Sequence, residues 1–427
     1  MTPLIAPNDG IEVAAVIGFG IARHALWSEG RCTWFEAIPT LPGQNPATSV
    51  ISGPDVYSGT AGIGWFLAQA ATHTGDGLLK RTAHGALRQA AARAAEYSAL
   101  SPHGFYGGAA GTGAALISAG KELGSDEMIA TGRSLLLGLP LEPPQPDVTD
   151  VIGGIAGTVV ALVLGADALG GDAALLSRAA EFADRLIKRG ERDARGALSW
   201  HTLDDKRANL TGFAHGAAGI AHALLLLDSL APSPALREAA AAAFAYETST
   251  FDATQANWPD YRLFPGQPVG PVSCVVAWCH GAAGIVRSRL FAETCGGLDV
   301  AADIDAGLGT TARFARQWHR MPNADFAVCH GVFGLVDTLL DGVRSGRDAH
   351  APLLREIVAY ATERFHRGER PWPSGLASQE EVSSLMLGNA GIGHIYLRLV
   401  DAKVPSLLAP APQHMSVQAG TREPVPA

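Results

Sequence analysis

A short unit, apolar-x-x-Gly-x-x-Gly-apolar, recurs seven times in this 427-residue chain. Its first glycines are Gly59, Gly108, Gly154, Gly216, Gly281, Gly331 and Gly388, so successive copies lie 49, 46, 62, 65, 50 and 57 residues apart. A period of this size is that of stacked supersecondary units, here two helices each. One helix costs roughly 1 kcal/mol per interior glycine relative to alanine. A cost repeated at every copy implies a geometric demand, such as closing a ring of helices whose glycine faces let neighbours approach.

The text between the copies is helical in character. Ala-rich patterns cover 80–98, 172–190, 233–250, 299–318 and 350–366, and 11–28 is an apolar-periodic candidate ahead of the first copy. β-branched runs of period two are scarce. The expected fold is therefore all-α, with one inner and one outer helix per repeat, about fourteen in all. Connections after inner helices are short, whereas those before them are long: 139–149, 191–211, 252–277 and 368–383. If the inner helices run parallel, the glycine motifs and long loops share one end, where function concentrates. Residues 1–403 are expected to form one domain. The Pro-, Ala- and Ser-rich stretch 404–427 is expected to be a disordered tail.

Composition narrows the class. Hydrophobic residues make up 47% and charged residues 17%, enough for a large core, and the net charge is −9. No basic block suggests a nucleic-acid partner. No apolar run is long enough for a membrane span, and no secretory signal is evident at the N-terminus, so a cytoplasmic location is expected. Five scattered cysteines are too few for a disulfide framework in a chain of this length. Clustered Cys and His then point to metal or catalysis.

Alignment of the copies shows where chemistry enters. The residues immediately before the first motif glycine are Ser58, Gly107, Gly153, His215, His280, His330 and Leu387. One position earlier stand Tyr57, Tyr106, Ile152, Ala214, Cys279, Cys329 and Met386. Cys279, Cys329 and His330 would supply three ligands to a zinc ion, and a fourth position left to water or substrate marks a catalytic site. His280 is a third catalytic candidate, either a ligand in place of His330 or a residue that faces the cavity. His215 lacks a cysteine and suits general acid/base work. Asp150, at the mouth of the third motif, is a helix cap or a cavity carboxylate. Asp55 reads as a cap, and Cys32 and Cys295 as structural thiols. In the long loop 252–277, Trp258, Tyr261 and Arg262 are candidates for substrate contact, or else they order the loop.

The phrases Phe213-Ala214-His215-Gly216-Ala217-Ala218-Gly219, Trp278-Cys279-His280-Gly281-Ala282-Ala283-Gly284 and Cys329-His330-Gly331-Val332-Phe333-Gly334 resemble those of the lanthionine synthetase C family, the cyclases of lanthipeptide biosynthesis. The resemblance covers about residues 50–400 and all seven copies in order. It implies an α/α toroid, a double ring of seven inner and seven outer helices. It places zinc on Cys279, Cys329 and His330, the acid/base histidine on His215 and the active-site aspartate on Asp150. His280 occupies a position that varies among relatives. Some relatives carry an arginine just before the Trp-Cys pair, and 273–277 contains none.

The implied activity is a zinc-dependent cyclase. Cysteine thiolates of a dehydrated precursor peptide would add to dehydroalanine or dehydrobutyrine in the same peptide. Two alternatives share the fold: addition of glutathione or another small thiol to dehydrated residues, and a non-catalytic zinc-bearing scaffold. Nothing kinase-like or lyase-sized accompanies the repeats. A lone cyclase, or a subunit acting beside a separate dehydratase, is therefore expected.

Overall fold

The computed structural model describes residues 4–37, 49–142, 148–263, 270–376, 381–412 and 415. Among them are fourteen α-helices. Seven are inner: α2 (Thr60–Thr74), α4 (Ala109–Leu123), α6 (Ile155–Ala168), α8 (Ala217–Leu230), α10 (Ala282–Cys295), α12 (Val332–Arg344) and α14 (Asn389–Val400). Each packs on the next, and α14 returns to α2, so the ring closes. Six outer helices follow their inner partners: α3 (Gly77–Leu100), α5 (Asp126–Leu137), α7 (Ala173–Lys188), α9 (Pro234–Thr250), α11 (Ala301–Trp318) and α13 (Ala351–Ala361). The seventh outer helix is α1 (Pro7–Arg23), which packs on α14 and closes the double ring from the other terminus. The fold is the expected α/α toroid. No helix among the described residues is long and apolar enough to cross a membrane.

Burial follows position in the rings. The inner helices are buried on nearly every face, as α6 is from Ile155 to Val163, because they meet neighbours in both rings. Outer α7 buries one stripe, Leu175, Ala179, Phe182, Ala183 and Leu186, and turns its charged face to water.

The first motif glycine is the N-cap of every inner helix. The second has a different purpose from the one its spacing suggested. A Cβ on Gly284 would lie 1.9 Å from the Trp278 carbonyl oxygen, and one on Gly219 would lie 1.9 Å from that of Phe213. The same collision, with the carbonyl six residues upstream, recurs at all seven copies. The glycines chiefly let the helix sit on its own entry turn, with close approach to the neighbouring helix secondary. Gly284→Ala should therefore destabilise the fold by about 2 kcal/mol despite alanine's better helix propensity. Chemical denaturation would show this as a lowered midpoint, and an unchanged midpoint would count against it.

Backbone hydrogen bonds join the entry turns around the ring. Tyr57 N–H donates to Tyr106 O (2.9 Å), Gly107 to Ile152 (2.8 Å), Val151 to Ala214 (3.3 Å), Ala214 to Cys279 (3.2 Å), Cys329 to Met386 (3.0 Å) and Met386 to Tyr57 (3.0 Å). The motifs thus share one end, as the loop lengths implied. Among the described residues, the seam between the fifth and sixth motifs has no such bond.

Several local expectations are corrected. The candidate helix 11–28 starts earlier and ends at Arg23, and Leu26–Ser28 instead pairs with Arg31–Thr33 as a short hairpin. Two more small antiparallel pairs, Phe35–Ala37 with Ser49–Ile51 and Glu191–Arg192 with Leu198–Ser199, decorate the helical frame. The stretch from 404 is not a free tail through Pro412: Val404, Leu407 and Leu408 are buried in the main core. Of the rest of that stretch, 413, 414 and 416–427 lie outside the described residues.

Candidate active site

The open seam is where the two motif cysteines meet. Cys279 and Cys329 are free thiols near enough for each to set the other's titration. The neighbouring Cys329 lowers the Cys279 thiol to about 7 against the opposing effect of burial, with help from Arg262, His330 and His215. Cys279, with burial, raises Cys329 well above the thiol range. Of the two, Cys279 is therefore the thiol that ionises first. Tyr57 O–H donates to Cys329 Sγ at 3.1 Å. Tyr57 occupies the same motif register as the two cysteines, a signal visible in the aligned copies but not used above.

His330 Nε2 lies 3.0 Å from the Gly375 carbonyl oxygen. A carbonyl only accepts, so Nε2 carries the hydrogen and Nδ1 keeps its lone pair. Among the described residues no group of three His, Cys, Asp or Glu side chains is already gathered around one point as a metal cage. The donor set nevertheless fits zinc in kind: an ionisable thiol pair and an imidazole whose tautomer is fixed by a carbonyl.

His215, from the fourth motif, stands next to this seam. Its Nδ1 is 2.6 Å from Asp150 Oδ2. Asp150 Oδ1 accepts the Gly153 N–H at 2.9 Å, so Asp150 is at once a turn cap and a cavity carboxylate. Asp55 accepts the Ser58 N–H at 2.8 Å, as a cap. Burial pulls the His215 imidazole down, but the hydrogen bond and charge of Asp150, with Cys279, outweigh it and hold its pKa above the usual histidine value. With Nδ1 bound to a carboxylate, Nε2 is the nitrogen left to exchange a proton.

His280 stacks on His215 with ring centroids 5.7 Å apart. It is 1% exposed, and burial first, then the Arg262 charge, lower it to about 3. It is a neutral ring backing His215, and as a proton donor at neutral pH it is the weaker of the two.

The loop 252–277 places its three candidates differently; residues 264–269 lie outside the described residues. Arg262 is clamped to Asp260 (Nε to Oδ1 3.0 Å, Nη2 to Oδ2 2.6 Å) and its charge acts on Cys279, His215 and His280. Cationic charge thus reaches the site from this loop although 273–277 holds no arginine. Tyr261, half-buried, gives its carbonyl to the Arg207 N–H at 2.9 Å and so ties this loop to the preceding long one. Trp258 is fully buried with Ala218, Ala282 and Ile285, against Phe251; it orders the loop and is not placed to meet a substrate.

Two buried residues hold the fourth and fifth motif turns and had no clear signal in the sequence. Glu247 of α9 accepts the N–H groups of Gly212 (2.9 Å) and Ala218 (3.0 Å) and pairs with Arg289 Nη1 (2.7 Å). Asn257 Oδ1 accepts from Ala282 N–H at 2.8 Å. A glycine N-cap has no side chain to satisfy the first helical amides, and these residues supply the acceptor from outside. Glu247→Ala would strand those amides and leave Arg289 with Asp303 as its one carboxylate partner. We expect a loss of about 3 kcal/mol, read as a fall in Tm of several degrees; a shift under about 1 °C would contradict the assignment.

Comparison with known proteins accords with this site. A solved structure named "Nisin cyclase" aligns with a TM-score of 0.62 at 17% identity, covering 81% of this chain and 88% of that one, a likeness of fold. No curated protein sequence matches. A family profile described as "Lanthionine synthetase C-like protein" matches residues 50–409 and so takes in every motif copy. The protein is therefore a member of the lanthionine synthetase C-like family.

Proposed function

We propose that this protein is a zinc-dependent lanthipeptide cyclase. Its substrate would be a precursor peptide already dehydrated by a separate enzyme, and its products (methyl)lanthionine thioether rings. The observation that carries this reading is the two free thiols of Cys279 and Cys329, from adjacent motifs, beside the hydrogen-bonded Asp150–His215 pair. Soft ligands and a poised acid are what thiol addition to an activated alkene requires.

Cys279, Cys329 and His330 are the residues that would hold the metal. Bound there, zinc would supply Lewis-acid stabilisation of a thiolate at neutral pH. In the reaction a peptide thiol gives up its proton, its sulfur bonds the β-carbon of a dehydrated residue, and the alkene electrons move to the α-carbon and its carbonyl. His215 Nε2 protonates that α-carbon, and Asp150 keeps the ring oriented and charged until it does. The proton lost by the thiol restores His215, so nothing is consumed. The inner-helix N-termini gathered at this end offer a positive potential to the transient enolate, reinforced by Arg262.

The test is a dehydrated peptide with a single cysteine, incubated with the protein and excess glutathione, then alkylated and weighed. Cyclisation predicts an unchanged peptide mass with no alkylatable thiol. A gain of one glutathione would favour the small-thiol alternative. A still-alkylatable peptide would leave the scaffold.

A further inference from the structure

The far half of the toroid's axis is occupied by the chain itself. After α14 the backbone turns into the ring, and its carbonyl groups are taken one after another by side chains from around the wall. His394 Nε2 donates to Pro405 O at 3.1 Å, Tyr106 O–H to Leu407 O at 2.6 Å, Trp278 Nε1 to Leu408 O at 2.6 Å and His222 Nε2 to Pro410 O at 2.9 Å. The donors belong to α14, the second motif, the fifth motif and α8, which no position outside the lumen could reach together.

Ser406 is the anchor. Its hydroxyl donates to Asp337 Oδ2 at 2.8 Å and accepts from Arg287. Arg287 and Arg398 in turn share Asp337 and Asp341. Arg287 and Asp337 have no exposed side-chain surface. A charged quartet and four further hydrogen-bonding side chains facing an apolar lumen would be costly without a polar occupant. The segment supplies one, while Leu407 and Leu408, 3% and 1% exposed, fill the space beneath Tyr106 and Trp278.

We propose that the lumen is a peptide-binding channel whose resident ligand is the chain's own bent segment Val404–Ala411. The segment closes the toroid's far end, so a peptide substrate reaches Cys279 and Cys329 from the motif end alone. The cavity of ≈ 610 Å³ at the far end has Pro405, Ser406, Ala409 and Ala411 in its wall, with no motif residue. That the segment occupies the channel does not depend on the reaction proposed above; that a substrate peptide is thereby limited to the motif end rests on it.

Hydrogen exchange on the full-length protein tests it. The amides of Val404, Ser406, Leu407, Leu408, Ala409 and Ala411 should exchange about a hundredfold or more slower than those of the exposed turn 253–255. Ser406→Ala in the full chain should speed their exchange about tenfold while α6 is unchanged. A second probe is full-length Leu408→Cys, which maleimide should label only after denaturation. Exchange of 404–411 as fast as the exposed turn, no response to Ser406→Ala, or labelling of the native Leu408→Cys protein as fast as half-buried Cys274 would each overturn the proposal.

Discussion

Replacing Cys279 by alanine should abolish both metal binding and thioether formation. The side chain is one half of the thiol pair, and the remaining Cys329 and His330 are too few to hold zinc at neutral pH. The variant should retain less than about a tenth of the wild-type zinc content. There is a structural side to the same prediction. The fifth and sixth motifs are the one neighbouring pair lacking a backbone hydrogen bond among the described residues, so the two cysteines span the seam that the entry turns leave open. A metal held there would latch the ring. Chelating the metal from the wild type should lower its Tm, whereas the same treatment of Cys279→Ala should not. Metal analysis and turnover on that variant decide the matter, and full activity with Cys279 gone would defeat the reading.

The second large effect concerns His215. Its replacement by asparagine should cut turnover by about 10²- to 10⁴-fold, the range of a lost general acid, with zinc content unchanged. The pH profile gives the sharper form. On the proposed mechanism the donor is the protonated imidazole, and its pKa is held above the ordinary value because the hydrogen bond and charge of Asp150, with Cys279, outweigh burial. Activity should fall as pH rises through that raised pKa. Asp150→Asn removes the opposing charge, burial then lowers the pKa, and the fall should move to lower pH. An Asp150→Asn profile that coincides with the wild type would show that the pair does not set the proton donor.

The repeat made the toroid legible because one physical requirement, a tight turn into a helix, recurs with the same residues at each copy. Position within the repeat sets Cys279, Cys329, His330, His215 and Asp150 at one end of the ring. The purpose of the second glycine is not legible in the same way, since spacing cannot distinguish a collision with a neighbouring helix from one with the chain's own carbonyl. Glu247 and Asn257 carry no sequence signature because their value lies in which amides they reach, and nothing local to Ala-rich α9 reveals that. The segment after 403 reads as a tail by composition. Its partners lie up to 301 residues away, and each carbonyl's partner is an ordinary Tyr, Trp or His of a motif turn or an inner helix. Trp258 shows the converse, an aromatic in a functional loop that turns out to hold the loop from beneath.

In the proposed cyclase, Cys279, Cys329 and His330 draw together around one metal ion at the seam of the ring. Zinc K-edge absorption of the loaded full-length protein reads that ligand set. Two sulfur ligands from the protein and one imidazole nitrogen are expected, reduced by one sulfur or lost altogether in Cys279→Ala. A shell of nitrogen and oxygen alone, or one unchanged in Cys279→Ala, would contradict it.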